Sequence, residues 1–197
     1  MHKPAQTRVP IHPLLASRWS PRSFDGKPVG EDTVLALAEA ARWAPSCFGA
    51  EPWRFLICNK SGGADAWQKL FECLVEGNRA WAKNAQLLVL ICAETAFAHN
   101  GKENRHCRYD AGAAAMSMVL EAENRGLRCH QMGGFDAQAA REAFAIPDSF
   151  ECMSVLAAGW QAGAGLLDGE LKERETAPRK RRPLGEVAFN GEWGKAV

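Results

Sequence analysis

Two arginines and a serine alternate near the start of the chain, where Arg18, Ser20 and Arg22 stand two residues apart. Because Ser20 precedes a proline, its backbone favours an extended conformation, in which every second side chain projects to the same side. Two guanidinium groups and a hydroxyl on one side are suited to a phosphate or another oxygen-rich anion. Alone, the stretch favours a solvated basic leader, and an anion site is the alternative.

Three further segments carry residue types that could bind a ligand. The loop at 44–55 combines two prolines with small and aromatic residues, as a rigid loop against a planar ligand would. The segment 131–134 ends in two glycines, which allow close approach of the backbone to a ligand or simply form a turn. Four consecutive cations at 179–182 indicate a local anion site, a solvated face or a nucleic-acid patch.

Composition narrows the function classes. The 197 residues carry a formal net charge of +1, which disfavours a general nucleic-acid binder. Neither an apolar stretch of the length needed to span a membrane nor a signal peptide is present, so a cytoplasmic protein is expected. The seven cysteines include no Cys-x-x-Cys pair, which favours buried reduced thiols over disulfides or a metal site.

Hydrophobic periodicity predicts one domain in which helices cover a sheet. The predicted helices are a short one near 13–17 and longer ones at 31–44, 64–83, 109–125 and 136–145. The predicted strands are 54–58, 87–93, 127–130 and 153–160, of which 87–93 reads as a central strand buried on both faces. The tail from 163 to 197 is charged, and its few apolar residues cannot form a core alone.

Taken together, these segments resemble the nitroreductase family of flavoproteins over nearly the whole chain, from Ile11 to Gly194. The similar motifs are Arg18-Trp-Ser-Pro-Arg22, Ala44-Pro-Ser-Cys-Phe-Gly-Ala-Glu-Pro-Trp53, Asp110-Ala-Gly-Ala-Ala-Ala115, His130-Gln-Met-Gly-Gly-Phe-Asp136 and Lys180-Arg-Arg-Pro-Leu184. The family pattern departs at three positions, where Gly49 replaces the usual Asn, Glu51 the usual Gln and Gly133 a frequent Glu. These departures bear on substrate preference more than on flavin binding.

The resemblance implies an α+β fold, an α-β-α sandwich with a central, mostly antiparallel sheet and an extended C-terminal arm. It implies a single FMN-binding domain over 1–197, whose arm at 163–197 packs on the partner subunit of a homodimer with FMN at the interface. The residues that it assigns to FMN are Arg18, Trp19, Ser20, Arg22, Asn78, Gln131, Met132, Gly133 and Gly134. It places Lys180 and Arg182 on the phosphate, and a shift of one register step within Arg179–Arg182 is the open alternative. Pro45, Ser46 and Cys47 of the partner subunit complete the site.

The activity implied is an FMN-dependent NAD(P)H oxidoreductase that reduces a nitroaromatic, a quinone or a similar flat electrophile by a ping-pong cycle. Hydride transfer at N5 of the flavin requires alignment more than a protein acid or base, so no catalytic side chain is expected. The alternatives are flavin fragmentation, reductive dehalogenation or enal reduction on the same scaffold, a flavin-binding protein without turnover, and a nucleic-acid binder that uses 179–182.

Overall fold

The computed structural model describes residues 2–197, which form seven α-helices and four β-strands. The helices are α1 (Pro13–Ser17), α2 (Glu31–Arg42), α3 (Ala64–Glu72), α4 (Glu76–Ala82), α5 (Cys107–Asn124), α6 (Ala137–Ala143) and α7 (Gly169–Thr176). The strands are β1 (Trp53–Asn59), β2 (Leu87–Glu94), β3 (Leu127–Met132) and β4 (Phe150–Trp160). Among residues 2–197, no helix is both long enough and apolar enough to cross a membrane.

The four strands form one antiparallel sheet in the order β1-β2-β4-β3. Strand β2 lies between β1 and β4, and seven of its eight residues are buried. An uninterrupted apolar run of strand length is typical of a strand that is covered on both faces. The prediction of a central strand at 87–93 is therefore confirmed.

Each face of the sheet carries its own hydrophobic core, because successive strand residues point to opposite faces. On one face, Leu87, Val89 and Ile91 of β2 pack with α2 and α5. On the other face, Leu88 and Leu90 pack with α3, α4 and α6. Helical layers therefore cover both sides of the sheet, and the predicted α+β sandwich is confirmed.

The prediction of one helix over 64–83 is wrong in one respect, because the structure has two helices in this range, α3 and α4. The backbone between them pairs instead with the segment after β3: Val75 N–H donates to Gly134 O (3.1 Å), and Asp136 N–H donates to Cys73 O (2.8 Å). Leu74 and Phe135 form an antiparallel bridge at the same place. These tertiary hydrogen bonds replace the helical ones that the local periodicity favours.

The tail contains a helix, α7, that its charged sequence does not predict. Near the end of α7, the buried carboxylate of Glu175 accepts the backbone N–H groups of Arg22 (2.9 Å) and Ser23 (3.3 Å). The hydroxyl of Ser23 donates to Gly163 O at 2.7 Å. The first part of the tail is thus bound to the N-terminal segment of its own chain.

Behind that N-terminal segment lies His130 of β3, whose Nδ1 is 3.0 Å from Pro21 O and whose ring centroid is 4.6 Å from that of Trp81. Burial is the main cause that lowers the pKa of His130 to about 4, and the neighbouring Arg22 adds to the effect. The imidazole is therefore neutral at pH 7, with the proton on Nδ1 to donate to the Pro21 carbonyl.

This burial makes folding depend on pH. Below the ordinary histidine pKa of 6.5, the unfolded chain takes up a proton that the folded chain accepts only near pH 4, so stability falls with falling pH across that window. The contribution of His130 is at most about 1.4 kcal/mol per pH unit. We predict that His130→Gln, which keeps a donor for Pro21, loses this part of the slope in denaturant unfolding at pH 7, 6 and 5.

The exposed His2 provides the control, since His2→Gln should keep the slope of the parent protein. Equal slopes for the parent and His130→Gln would contradict the assignment of the slope to His130.

Candidate functional site

Six cationic side chains converge on one pocket of about 210 Å³ beside the N-terminal segment. We call it the cationic pocket, and its lining consists of Lys3, Arg18, Trp19, Ser20, Arg22, Arg174, Ala177, Pro178, Arg179 and Arg181. No carboxylate belongs to this lining within the described chain, residues 2–197. A site of this composition is suited to an oxygen-rich dianion such as a phosphate ester.

The predicted alternation accounts for one wall of the pocket. Arg18, Ser20 and Arg22 line it, and the Nη1 atom of Arg18 donates to Ser20 Oγ at 3.2 Å. Between them, Pro21 is buried and outside the lining, whereas Trp19 is buried and also borders the pocket. All three polar residues of the stretch thus reach the pocket, as their spacing predicts, and Trp19 adds an apolar part to the same wall.

The opposite wall comes from the tail, with a register one residue away from the predicted one. Arg179 and Arg181 line the pocket, whereas the predicted phosphate ligands Lys180 and Arg182 are exposed and outside its lining. The register is fixed by Arg179, whose Nη1 atom donates to the carbonyl oxygens of Lys3 and Ala16, each at 2.8 Å. In an extended segment, this anchor directs every second residue to the same side.

The cations of the pocket repel one another, and this repulsion disfavours the charged form of each side chain. Burial is the main cause that lowers the pKa of Arg18, of Arg22 and of Arg179, and neighbouring arginines lower each further. Glu175 partly offsets this for Arg22, although its carboxylate is already bound to backbone N–H groups. A bound anion would relieve this repulsion, so the pocket favours an anionic ligand.

A second group of predicted residues meets at the junction between α4 and the segment after β3. Asn78 Nδ2 donates to Gly134 O at 2.9 Å, which leaves the Oδ1 atom of Asn78 for another partner. A Cβ atom at residue 134 would lie 2.8 Å from Asn78 Nδ2 and 2.9 Å from Val75 Cγ2. A larger residue at 134 would therefore force the side chains of Asn78 and Val75 to shift.

The predicted strand 127–130 ends too early, because the two residues after it, Gln131 and Met132, also belong to β3. Gln131 and Met132 pair with Leu156 and Val155 of β4, so the strand continues two residues past His130. Gln131 is exposed, and Met132 is 3% exposed in the hydrophobic core under α3 and α6. Of the predicted segment 131–134, only the two glycines lie beyond the strand.

The predicted Pro45-Ser46-Cys47 loop is held by a different part of the chain. Cys47 N–H donates to the carboxylate of Asp110 in α5 at 3.0 Å, and Ser46 Oγ accepts from Glu51 N–H at 3.0 Å. Within residues 2–197, no hydrogen bond links this loop to the cationic pocket or to the Asn78–Gly134 junction. Within one chain, the predicted FMN-binding residues therefore lie at separate places, among them the loop 45–47, the cationic pocket and the Asn78–Gly134 junction.

Two of the positions that depart from the family pattern, Gly49 and Glu51, have backbone conformations with a positive φ. Gly49 has a φ of 62°, a conformation that glycine and asparagine tolerate better than other residues. Glu51 also has a positive φ, 44°. Arg54 donates to the backbone oxygen of Glu51 at 3.0 Å and pairs with the carboxylate of Glu94 at 3.7 Å, so it does not neutralise the Glu51 carboxylate.

Two of the pocket's cations, Lys3 and Arg174, are not predicted from the sequence. Lys3 precedes the Arg18–Arg22 stretch and Arg174 lies in the C-terminal part of the chain, and neither belongs to the alternating pattern of that stretch. For the pair Arg179 and Arg181, the two-residue spacing is the signal, but spacing alone does not distinguish it from the pair Lys180 and Arg182.

The Asn78–Gly134 junction gives a matched test. We predict that Gly134→Ala lowers the free energy of unfolding by about 1–3 kcal/mol, because the new methyl group overlaps Asn78 and Val75. Gly133→Ala is the control, since a Cβ atom there meets nothing within 4 Å. Denaturant unfolding of both variants measures the difference, and equal stabilities would show that the close approach at residue 134 carries no constraint.

Comparisons with known proteins agree with this architecture. The family model described as "Nitroreductase family" matches residues 15–160. An uncharacterized 15.4 kDa protein of Mycolicibacterium smegmatis is 36% identical over 152 residues, which cover 73% of this chain and 99% of the relative. A Leptothrix cholodnii protein, provisionally named NADH dehydrogenase/NAD(P)H nitroreductase, is 29% identical and covers 86% of this chain and 90% of its own length.

A solved structure extends the agreement to three dimensions. The crystal structure of an oxidoreductase containing FMN superposes with a TM-score of 0.90 at 38% identity, covering 95% of each chain. These matches confirm the family and the fold that the motifs predict, and with them the oxidoreductase class. The chain belongs to the nitroreductase family.

Proposed function

We propose that the chain is a cytoplasmic FMN-dependent NAD(P)H oxidoreductase that reduces nitroaromatics, quinones or similar flat electrophiles by a ping-pong mechanism. The observation that carries the proposal is the cationic pocket, in which six cations converge without a lining carboxylate. The similar structure at 38% identity is that of an oxidoreductase containing FMN, and the Leptothrix cholodnii relative is named for NAD(P)H. FMN and NAD(P)H are thus named for those proteins, and the cationic pocket supports the proposal that this chain also binds FMN.

The residues present fit the phosphate end of FMN. In the proposal, Arg18, Arg179 and Arg181 bind the phosphate dianion, and the Ser20 hydroxyl lies beside them as a donor. One guanidinium group can donate two parallel N–H bonds to the oxygens of a phosphate. Such charge-assisted hydrogen bonds are about twice as strong as hydrogen bonds between neutral groups. Burial is the main cause that lowers the pKa of Arg18 and of Arg179, and the additional repulsion from neighbouring arginines would be offset by attraction to the dianion.

The ring of FMN would lie where the backbone permits close approach. We propose that Gly133, Gly134 and the side chains of Asn78 and Gln131 line it, with the free Oδ1 atom of Asn78 as an acceptor for a ring N–H. When bound, FMN supplies the hydride chemistry by accepting a hydride from NAD(P)H and passing electrons to the second substrate. Arg22 contributes positive charge, which favours the added negative charge of the reduced ring.

A homodimer is part of the proposal, because the loop 45–47 and the cationic pocket have no direct link within one chain. Large aromatic side chains are also exposed near that loop: Trp43 is 77%, Phe48 85% and Tyr109 81% exposed. Apolar surface of this kind commonly marks an interaction site. We propose that Pro45, Ser46 and Cys47 of the partner subunit complete each flavin site, and that the arm at 163–197 extends onto the partner.

The arm has two parts with different surroundings. Its first part contacts its own chain through Glu175 and Arg179. Its distal part leaves Leu184 46%, Val187 61% and Trp193 91% exposed. We propose that this distal part provides most of the apolar contact with the partner.

The state of the cysteines fits the proposed cytoplasmic location. All seven are free thiols, and burial raises the pKa of Cys129 to about 12. The Sγ atoms of Cys92 and Cys152 are 4.0 Å apart and unlinked. Disulfides are rare where thiols are kept reduced, as in the cytoplasm.

The nucleic-acid alternative loses support from the position of the basic run. Arg179 and Arg181 line the cationic pocket, whereas Lys180 and Arg182 lie outside it, so the run is divided between the pocket and the outer surface and does not form one continuous patch. No observation favours flavin fragmentation, dehalogenation or enal reduction over electron transfer to a flat acceptor.

The neighbouring arginines of the tail provide the experiment. We predict that Arg181→Ala raises the Kd for FMN by about ten- to a hundredfold, because a charge-assisted contact to phosphate is lost. Arg182→Ala, outside the pocket, should bind FMN like the parent. Titration of the apoprotein measures both, and turnover of NADH or NADPH with a nitroaromatic and a quinone is measured at saturating FMN.

Turnover of Arg181→Ala should recover once FMN saturates it, since the arginine binds the phosphate and not the reacting ring. Equal weakening of FMN binding in the two variants would contradict the assigned register. Full FMN binding by the parent without turnover of any acceptor would contradict the oxidoreductase part of the proposal.

A further inference from the structure

The N-terminal segment before α1 lies against the cationic pocket, outside the range 15–160 that the family model matches. Ala5 N–H donates to Ala16 O at 2.8 Å. Arg179 donates to Lys3 O and Ala16 O, each at 2.8 Å, so one guanidinium joins the segment to the end of α1. The backbone of residues 3–5 is therefore held in place by hydrogen bonds to two other parts of the chain.

This anchoring positions the ammonium group of Lys3. Its Nζ atom donates to the backbone oxygen of Glu175 at 2.7 Å and lies 4.3 Å from the centroid of the Trp19 ring. An ammonium group has three donors, and within residues 2–197 Lys3 Nζ makes only this one hydrogen bond. The group lines the cationic pocket together with Arg22 and Arg179.

The Lys3 ammonium lies among the cations of the pocket, with one acid nearby. Burial is the main cause that lowers the pKa of Lys3, the carboxylate of Glu175 opposes this, and Arg179 and Arg22 lower it further. The same carboxylate also accepts the backbone N–H groups of Arg22 and Ser23. Repulsion between like charges favours an exposed position for a lysine with a flexible stem. The observed position instead directs a cation with unused donors toward the space that the arginines surround.

We propose that Lys3 is a further phosphate-binding residue, delivered to the cationic pocket by the N-terminal segment, and that it strengthens binding of FMN through its phosphate group. The inference rests on the proposed function, since it concerns the same flavin. It adds a residue that the family motifs do not contain, and it gives the first residues of the chain a role in retaining the cofactor.

The experiment compares FMN with riboflavin, which has the same ring and ribityl chain but no phosphate. The apoprotein and its variants are titrated with each flavin. Lys3→Met removes the charge and keeps an unbranched stem on Trp19, and Lys3→Arg keeps the charge. Lys102→Met, an exposed lysine on another part of the surface, is the control for loss of one positive charge.

We expect Lys3→Met to raise the Kd for FMN about tenfold and to leave the Kd for riboflavin within about twofold of the parent. Lys3→Arg should restore FMN binding, and Lys102→Met should match the parent with both flavins. An equal loss of FMN and riboflavin binding would overturn the inference, since Lys3 would then only support the fold. Unchanged FMN binding in Lys3→Met would also overturn it and leave the proposed function intact, whereas a parent that binds neither flavin would overturn both.

Discussion

Repulsion among the cations of one pocket is the constraint on which the rest of the site depends. Lys3 and five arginines are held together without a carboxylate in the lining, so other parts of the fold must supply the free energy that keeps them there. The buried Glu175 binds the backbone beside Arg22, and Arg179 binds the carbonyl groups of two N-terminal residues. The pocket is thus built by joining the two ends of the chain.

The sheet explains how the remaining site residues are placed. Strand β3 lies at one edge of the sheet, and His130 near its end binds the Pro21 carbonyl behind the arginine wall. Two residues beyond the end of the same strand, Gly134 binds Asn78. The edge strand therefore connects the region that we assign to the phosphate with the region that we assign to the ring, and the burial that keeps His130 neutral avoids a further positive charge there.

The local sequence pattern was sufficient to predict much of the fold and one wall of the cationic pocket. The proline at 21 predicts the alternation of Arg18 and Ser20, and the apolar run at 87–93 predicts the central strand. The break between α3 and α4 could not be predicted, because it depends on hydrogen bonds to Gly134 and Asp136, about 60 residues away. The pairing of Arg179 with Lys3 is more remote still, and it decides which arginines of the tail enter the pocket.

The most direct test is the visible spectrum of the purified protein, reconstituted with FMN and desalted, before and after anaerobic addition of NADH or NADPH. We expect about one bound FMN per chain, loss of the oxidised flavin absorbance with at least one of the two donors, and its return when a nitroaromatic or a quinone is added. A protein that retains no flavin would contradict the assignment of the cationic pocket to FMN, and bound flavin that stays oxidised with both donors would contradict the assignment of an oxidoreductase.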